Sequence, residues 1–377
     1  MKKKEQRILL WGLMALVMAL VVSCTKSNLS NRSSVRFTIG LASDGTRTLY
    51  SGEGTVTDGK LVKERIDWVV NDQVRVYSPE AMQTDWAHYA EYKVTSHTHT
   101  PHGALMDHAE VAAMDADGKG LTWEAGTTNH FYGMYPSPAI FRSDDPGASW
   151  IALDGSTMKG TIAADQTGLL SWTGVTGTGD ITGAPDMKYA WMFAKQTGNK
   201  GDSEVNLVFY PKFTAFEFTI GSGENAVVHL SSFTLETTQT ANSDYPYPYL
   251  AGNFSLAGDT ELVSVSNTGP SKTITVTFPE GTAVTRATAT ADAKNLTFTV
   301  FALPVDITSL KITFTGEEIG TRTLVLKDGT DSTASPLEFT ACKKYRIYGL
   351  SFPNFLVAQG EDILWDLEAH GEALKWY

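Results

Sequence analysis

Cysteine is almost missing from this chain, with only Cys24 and Cys342 in 377 residues. A fold so poor in thiols has no disulfide framework, so its stability must come from packed cores, and the length is sufficient for two domains of ordinary size. Basic residues are also in deficit, 30 Lys+Arg against 42 Asp+Glu for a net charge of −12, which implies no nucleic-acid partner. Motifs that carry chemistry are missing as well. Gly54 to Lys60 approaches a phosphate-binding loop, but Leu61 stands where Ser or Thr must hold Mg²⁺, so it reads as a turn. Gly177-x-Gly179-x3-Gly183 is one residue too long for a dinucleotide fingerprint and opens no helix. There is no Gly-x-Ser-x-Gly elbow and no His-Glu-x-x-His pair. No enzyme, cofactor or metal is therefore expected.

What the chain does have begins at its start. Lys2, Lys3, Lys4 and Arg7 precede an apolar run from Ile8 to Val22, the pattern of a secretory signal peptide over residues 1–23. Val21-Val22-Ser23-Cys24 resembles a bacterial lipobox, in which small Ser23 admits the peptidase and the Cys24 thiol takes a diacylglycerol. Two acyl chains hold a protein on a membrane far better than one. Acylation of Cys24 would leave Cys342 without an intrachain mate. Loss of residues 1–23 leaves 26 Lys+Arg against 41 Asp+Glu, a charge of −15. Residues 24–34 are polar and Ser/Asn-rich, as a flexible lipidated tether would be.

From Val35 the pattern is strand-like. Val35, Phe37, Ile39 and Leu41 alternate with Arg36, Thr38 and Gly40 before a polar turn, Ser43 to Thr48, that presents Arg47. Ile66, Trp68 and Val70, then Asn71-Asp72, then Val74 and Val76 predict a hairpin. A short helix is expected near Leu105 to Met114, a strand at Phe131 to Pro136, and loops with short strands over 141–185. The Gly-containing loop Gly198 to Ser203 is the expected domain boundary, dividing a domain 35–200 from a domain 201–377. Beyond it, alternating strands recur at Val205–Phe209, Phe213–Ile220, Phe233–Leu235, Ile274–Phe278, Leu296–Val300, Leu310–Phe314, Leu324–Leu326 and Tyr345–Ile347. Regularly spaced short strands with Thr-rich outer faces predict an all-β chain of antiparallel sandwiches.

Arg47 beyond a first strand, Ile66-Asp67-Trp68 with Asn71-Asp72, Phe131 to Pro136, Asp186 to Ala190 followed by Val205 to Ile220, and Lys343-Lys344-Tyr345 occur in an order that resembles the fimbrillin-like family of lipoprotein pilus subunits. The resemblance covers most of the chain beyond Cys24. It implies two transthyretin-like antiparallel β-sandwich domains and a precursor lipidated at Cys24 on the outer membrane. It also implies a protease cut between Arg47 and Thr48, and expulsion of the strand bearing Val35, Phe37, Ile39 and Leu41 so that a neighbouring subunit's strand fills the groove. The partners it implies are other pilus subunits, the membrane through the lipid, and a host or bacterial surface ligand. Residues Thr25 to Asn31 lack the acidic run that often follows the lipidated Cys in surface-exported lipoproteins of this type.

At the C-terminus Phe355, Val357, Ile363, Trp365 and Leu367 alternate as a donor strand over 355–377 would. Ile363, Leu367 and Leu374 also lie near helical spacing, with Asp362 as a cap, so a short helix competes. His97, His99, His102 and His108 could chelate a transition metal, but no carboxylate pattern accompanies them and a His-rich loop is the commoner case. Asp115-Ala-Asp117-Gly118 begins like a Ca²⁺ loop, yet Gly126 stands where the bidentate Glu belongs. Nine Trp and 14 Tyr support a rival, an outer-membrane glycan-binding lipoprotein, unless Trp68, Trp191 and Trp365 are core.

Overall fold

The computed structural model describes residues 32–41, 54–57, 60–64, 68–83, 87–98, 108–124, 126–223, 227–260, 262–286, 293–326, 338–352 and 359–365. These residues form strands and four single-turn 3₁₀ helices, with no α-helix among them, as expected for an all-β chain. The chain opens with β1 (Phe37–Leu41), a hairpin of β2 (Gly54–Thr57) and β3 (Lys60–Glu64), then β4 (Gln73–Tyr77), β5 (Tyr89–Thr98), β6 (His108–Ala113) and β7 (Thr128–Tyr135). It crosses into β8 (Ala152–Asp154), β9 (Thr157–Ile162), β10 (Leu170–Thr173) and β11 (Ile181–Pro185), and returns with β12 (Met192–Asn199) and β13 (Val205–Pro211). Next come β14 (Thr214–Ser222), β15 (Val228–Thr237), β16 (Gly252–Ala257), β17 (Val263–Val265), β18 (Thr273–Thr277), β19 (Ala283–Val284) and β20 (Leu296–Ala302). The last are β21 (Ile307–Thr308), β22 (Leu310–Gly316), β23 (Gly320–Val325), β24 (Glu338–Phe339), β25 (Lys344–Phe352) and β26 (Gln359–Trp365).

Two hydrophobic cores result. Seven strands close into a barrel in the order β1-β13-β12-β7-β4-β5-β6, and β6 bonds back to β1. The barrel is filled by Val35, Phe37, Ile39, Trp68, Val74, Val76, Phe131, Leu207 and Phe209. The second core lies between an eight-stranded sheet, β10-β11-β20-β14-β25-β26-β3-β2, and the sheet β18-β15-β22-β23. Aromatic rings interlock across it. Phe218 and Phe233 lie 4.7 Å apart, Phe233 and Phe298 4.9 Å, and Phe314 and Phe352 5.6 Å. Offset and edge-on pairs of this kind add about 0.5–1.5 kcal/mol each beyond burial.

One wall serves both cores. On β7, Phe131 and Tyr135 belong to the barrel while Tyr132 and Met134 face the second core. On β12, Met192 and Ala194 point into the barrel and Phe193 away from it. Burial on both sides explains the unbroken apolar sequence there, which a solvent-facing strand would not tolerate. Gly133 is required by this packing, because a Cβ on it would come within 2.7 Å of the Phe209 ring.

Several expectations are corrected. The loop Gly198–Ser203 is no boundary between sheets, because it connects two barrel strands that pair antiparallel. The first core is instead interrupted by β8 to β11, whose sheets are completed by later strands, β9 by β16 and β11 by β20. The expected helix near Leu105–Met114 is strand β6 over His108–Ala113, and β5 and β1 on either side satisfy its backbone. The Asn71-Asp72 turn is present, with Asn71 at φ 79 and Asp72 N–H donating to Val69 O at 2.9 Å. It does not close the expected hairpin, for Trp68–Val70 form no strand and β4 pairs with β5 and β7. Pairing is not purely antiparallel either, since β1 runs parallel to β13, β11 to β20, β14 to β25 and β26 to β3.

β14 holds in the second core the place that β1 holds in the first. Each has one parallel and one antiparallel neighbour, β13 and β6 for β1, β25 and β20 for β14. Each carries the tetrapeptide Phe-Thr-Ile-Gly, at Phe37–Gly40 and Phe218–Gly221. The two cores thus repeat one arrangement around one strand.

Candidate functional site: the slot of the first strand

β1 is short, central and apolar on one face. Its alternation puts Phe37 and Ile39 inside the barrel at 4% and 0% exposure, with Val35 just ahead of the strand at 3%. The Phe37 ring lies edge-on to Tyr92 at 5.1 Å and to Phe131 at 5.0 Å, and Trp123 packs on Phe131 at 5.7 Å. Ile39 stands opposite Leu207 on β13 and Ala109 on β6. Leu41 pairs with Phe209 in the same register.

Polar contacts hold the approach to the strand. Val35 N–H donates to Leu121 O at 2.8 Å, Trp123 N–H to Ser33 O at 3.0 Å, and Val205 N–H to Arg36 O at 2.8 Å. The Thr38 hydroxyl bonds the Asn206 side chain across to β13. Arg32 pairs with Glu124 at 2.5 Å, both side chains mostly buried. Without β1 the barrel would have a slot open along its length, with backbone donors and acceptors of β13 and β6 unpaired on both sides. That is a surface able to take up another extended segment.

The other residues singled out by sequence fall in different places. Cys24, Arg47, Thr48, Phe355, Val357 and Leu367 lie outside the described residues, as do His99 and His102. Ile363 and Trp365 fall on β26, so this stretch of the C-terminal segment is a strand and not a helix. It pairs within its own chain, antiparallel to β25 from Lys344↔Ile363 to Tyr348↔Gln359, and parallel to β3. Trp68 and Trp191 are fully buried, Trp191 donating from Nε1 to Thr161 O at 2.8 Å, so neither is a sugar-stacking platform.

Candidate ion sites resolve into ordinary contacts. Asp115 closes a turn by accepting from Gly120 N–H at 2.9 Å, and burial together with the hydrogen bond it shares with Asp117 raises its carboxyl. Gly54–Thr57 and Lys60–Glu64 are hairpin strands, not a phosphate loop. Among the described residues, His229, Glu317 and Glu318 bring ligand atoms within 4.8 Å of one another. Glu318 already accepts from His229 N–H at 2.7 Å and bonds its ring Nδ1 at 2.6 Å, which holds the Glu318 carboxyl below its ordinary value.

Two other charged clusters are paired among the described residues. A cleft of about 230 Å³ brings Asn71-Asp72 together with Asp186, Met187 and Lys188. Lys188 there lies 3.3 Å from Asp145 and 3.6 Å from Asp186. Sequence reasoning missed one cluster. Lys344, with 0% exposure, lies 2.7 Å from Glu217, and Arg346 Nε donates to the same carboxylate at 2.7 Å. Burial would raise the Glu217 carboxyl, but the ammonium and guanidinium outweigh it and hold it below its ordinary value. The available signal was a lone Glu inside the apolar run Phe216-Glu217-Phe218.

The architecture is that of an all-β chain whose first strand is inserted between two others of its core. A candidate cell adhesion protein of Bacteroides ovatus shares this fold, at 12% identity over 90% of this chain and 99% of the other, with a TM-score of 0.51. Another from Bacteroides uniformis is 15% identical over 90% and 98% of the two chains, TM-score 0.48. The tip fimbrial protein Mfa3 of Porphyromonas gingivalis, with a C-terminal truncation, is 9% identical over 88% and 100%, TM-score 0.34. No family model and no curated protein matches the chain.

Proposed function

We propose that this chain is a subunit or adhesin of a bacterial surface pilus, of the fimbrillin-like kind, and acts by assembly rather than catalysis. It is exported as a precursor lipidated at Cys24, held at the outer membrane, cut between Arg47 and Thr48, and joined to other subunits by strand exchange. β1 leaves, and a strand from the C-terminal segment 355–377 of the next subunit takes its place. The observation that carries this reading is the position of β1, which is central to a closed barrel yet precedes the stretch holding Arg47. A cut there would leave β1 and the residues before it attached only through non-covalent contacts. The fold shared with the Bacteroides ovatus protein supports a surface role. Val35, Phe37 and Ile39 each stabilise by roughly 1.5–3 kcal/mol on full burial. β1 should therefore stay docked until another strand displaces it.

The test is to treat the purified precursor with an Arg-specific protease. Detergent-resistant ladders whose subunits begin at Thr48 are expected, and none from an Arg47→Ala variant. A fully cut protein that stays monomeric refutes the reading.

A further inference from the structure

The repeat between the two cores gives the slot a grammar. In both, the strand between a parallel and an antiparallel neighbour reads Phe-Thr-Ile-Gly, and in both the Phe is held by aromatic rings. Phe37 lies against Tyr92 and Phe131, and Phe218 lies 4.7 Å from Phe233 and 5.5 Å from Phe298. The Ile two residues on is fully buried in each case, at Ile39 and Ile220. A Cβ on Gly221 would stand 3.0 Å from Asn295 Oδ1, a contact that a small shift of that side chain relieves, so Ala fits the fourth position as well as Gly. β14 cannot leave its slot, because folded strands tether it at both ends.

Of the 17 phenylalanines in the chain, three begin the pattern Phe, any residue, Ile or Val, Gly or Ala. Two are Phe37 and Phe218, the slot strands themselves. The third is Phe355, followed by Leu356, Val357 and Ala358. Resting on the strand-exchange reading above, we propose that the segment of a second copy that fills the vacated slot is seated with Phe355 at the level of Phe37, Val357 at that of Ile39 and Ala358 at that of Gly40. It runs parallel to β13, as β1 does.

The alternative register in the same segment would put Ile363 at the Phe37 level and Trp365 at the Ile39 level. That register fails twice on packing. An Ile between Tyr92 and Phe131 leaves space where a ring was, and a Trp does not fit where Ile39 has 0% exposure between the strands that carry Ala109 and Leu207. The favoured register has one cost, since Leu356 brings no hydroxyl to Asn206. It also requires β26 to leave β25.

The pairing of Ile39 with Ala109 supplies the test, because directly opposed residues on antiparallel strands lie at a Cα separation a disulfide can span. In a Cys342→Ser background, one variant carries Ala109→Cys with Val357→Cys and a second carries Ala109→Cys with Trp365→Cys. After cleavage, polymerisation and oxidation, an intersubunit disulfide is expected from the first and not from the second. As a measurement free of engineered thiols, Phe355→Ala should slow polymerisation at least tenfold, while Trp365→Ala stays within twofold of the parent. Polymer that links 109 to 365, or that is insensitive to Phe355→Ala, overturns this register and leaves strand exchange standing. A cut parent protein that forms no polymer at all overturns strand exchange and this inference with it.

Discussion

Replacing Glu217 with Gln removes a carboxylate paired with a lysine that has no solvent contact. Lys344 lies at 0% side-chain exposure and Arg346 at 23%, both 2.7 Å from Glu217, whose own side chain is 16% exposed. Breaking a buried ion pair from one side costs about 3–5 kcal/mol, because the remaining charge keeps its desolvation cost and loses its partner. The Gln amide oxygen can still accept one hydrogen bond, so the low end, about 3 kcal/mol, is expected. At a slope of about 3 kcal/mol per molar for a large chain, the urea midpoint should fall by about 1 M. A double variant, Glu217→Gln with Lys344→Met, removes the stranded ammonium as well and should recover some of that loss.

The pH dependence follows from the same contacts. Glu217 is held below its unfolded value near 4.3, so its contribution is complete above that pH and is lost as the pH falls through the lower folded value. The Glu217→Gln variant should therefore lose less stability on acidification than the parent. Urea unfolding followed by tryptophan fluorescence at neutral and acid pH measures both effects. A midpoint shift under about 0.2 M at neutral pH would refute the reasoning and mean that other contacts of Lys344 hold its charge.

Two further outcomes are expected. Phe37→Ala in the uncut protein removes a ring packed against Tyr92 and Phe131 and should destabilise the barrel by about 3–5 kcal/mol; a loss below about 1 kcal/mol in denaturant unfolding would show that β1 is not a member of the core. Cys24→Ala should abolish incorporation of labelled palmitate and release the protein from the membrane fraction, and unchanged membrane association would count against the lipid anchor.

Period-2 alternation is visible in a sequence wherever a strand has one face in a core and the other toward solvent. β13, β15, β18 and β22 are of this kind; β13, β18 and β22 were legible close to their starts from Val205, Ile274 and Leu310, whereas only Phe233–Leu235 signalled β15, which spans Val228–Thr237. The apolar face of β1 was legible for the same reason, and so was the shortage of cross-links that makes packed cores necessary. Strands buried on both faces erase that alternation. β7 was therefore recognisable only as an apolar run, and the division of its side chains between the two cores depended on packing that leaves no local signal.

Pairing partners are non-local and leave no period in the chain. Whether β1 would sit at an edge or between two strands, and whether it would run parallel to β13, rested on pairings far apart in the chain, Ile39 with Ala109 on one side and with Leu207 on the other. Whether Gly198–Ser203 would separate a pair of domains or turn a hairpin rested on the pairing of the strands that flank it. His108–Ala113 reads as helix locally and is a strand because β1 and β5 offer it backbone partners on both sides. Glu217 looked like a polar interruption in an apolar strand. Only the parallel approach of β25 brought Lys344 and Arg346 beside it, giving a buried carboxylate the charges that make its burial tolerable.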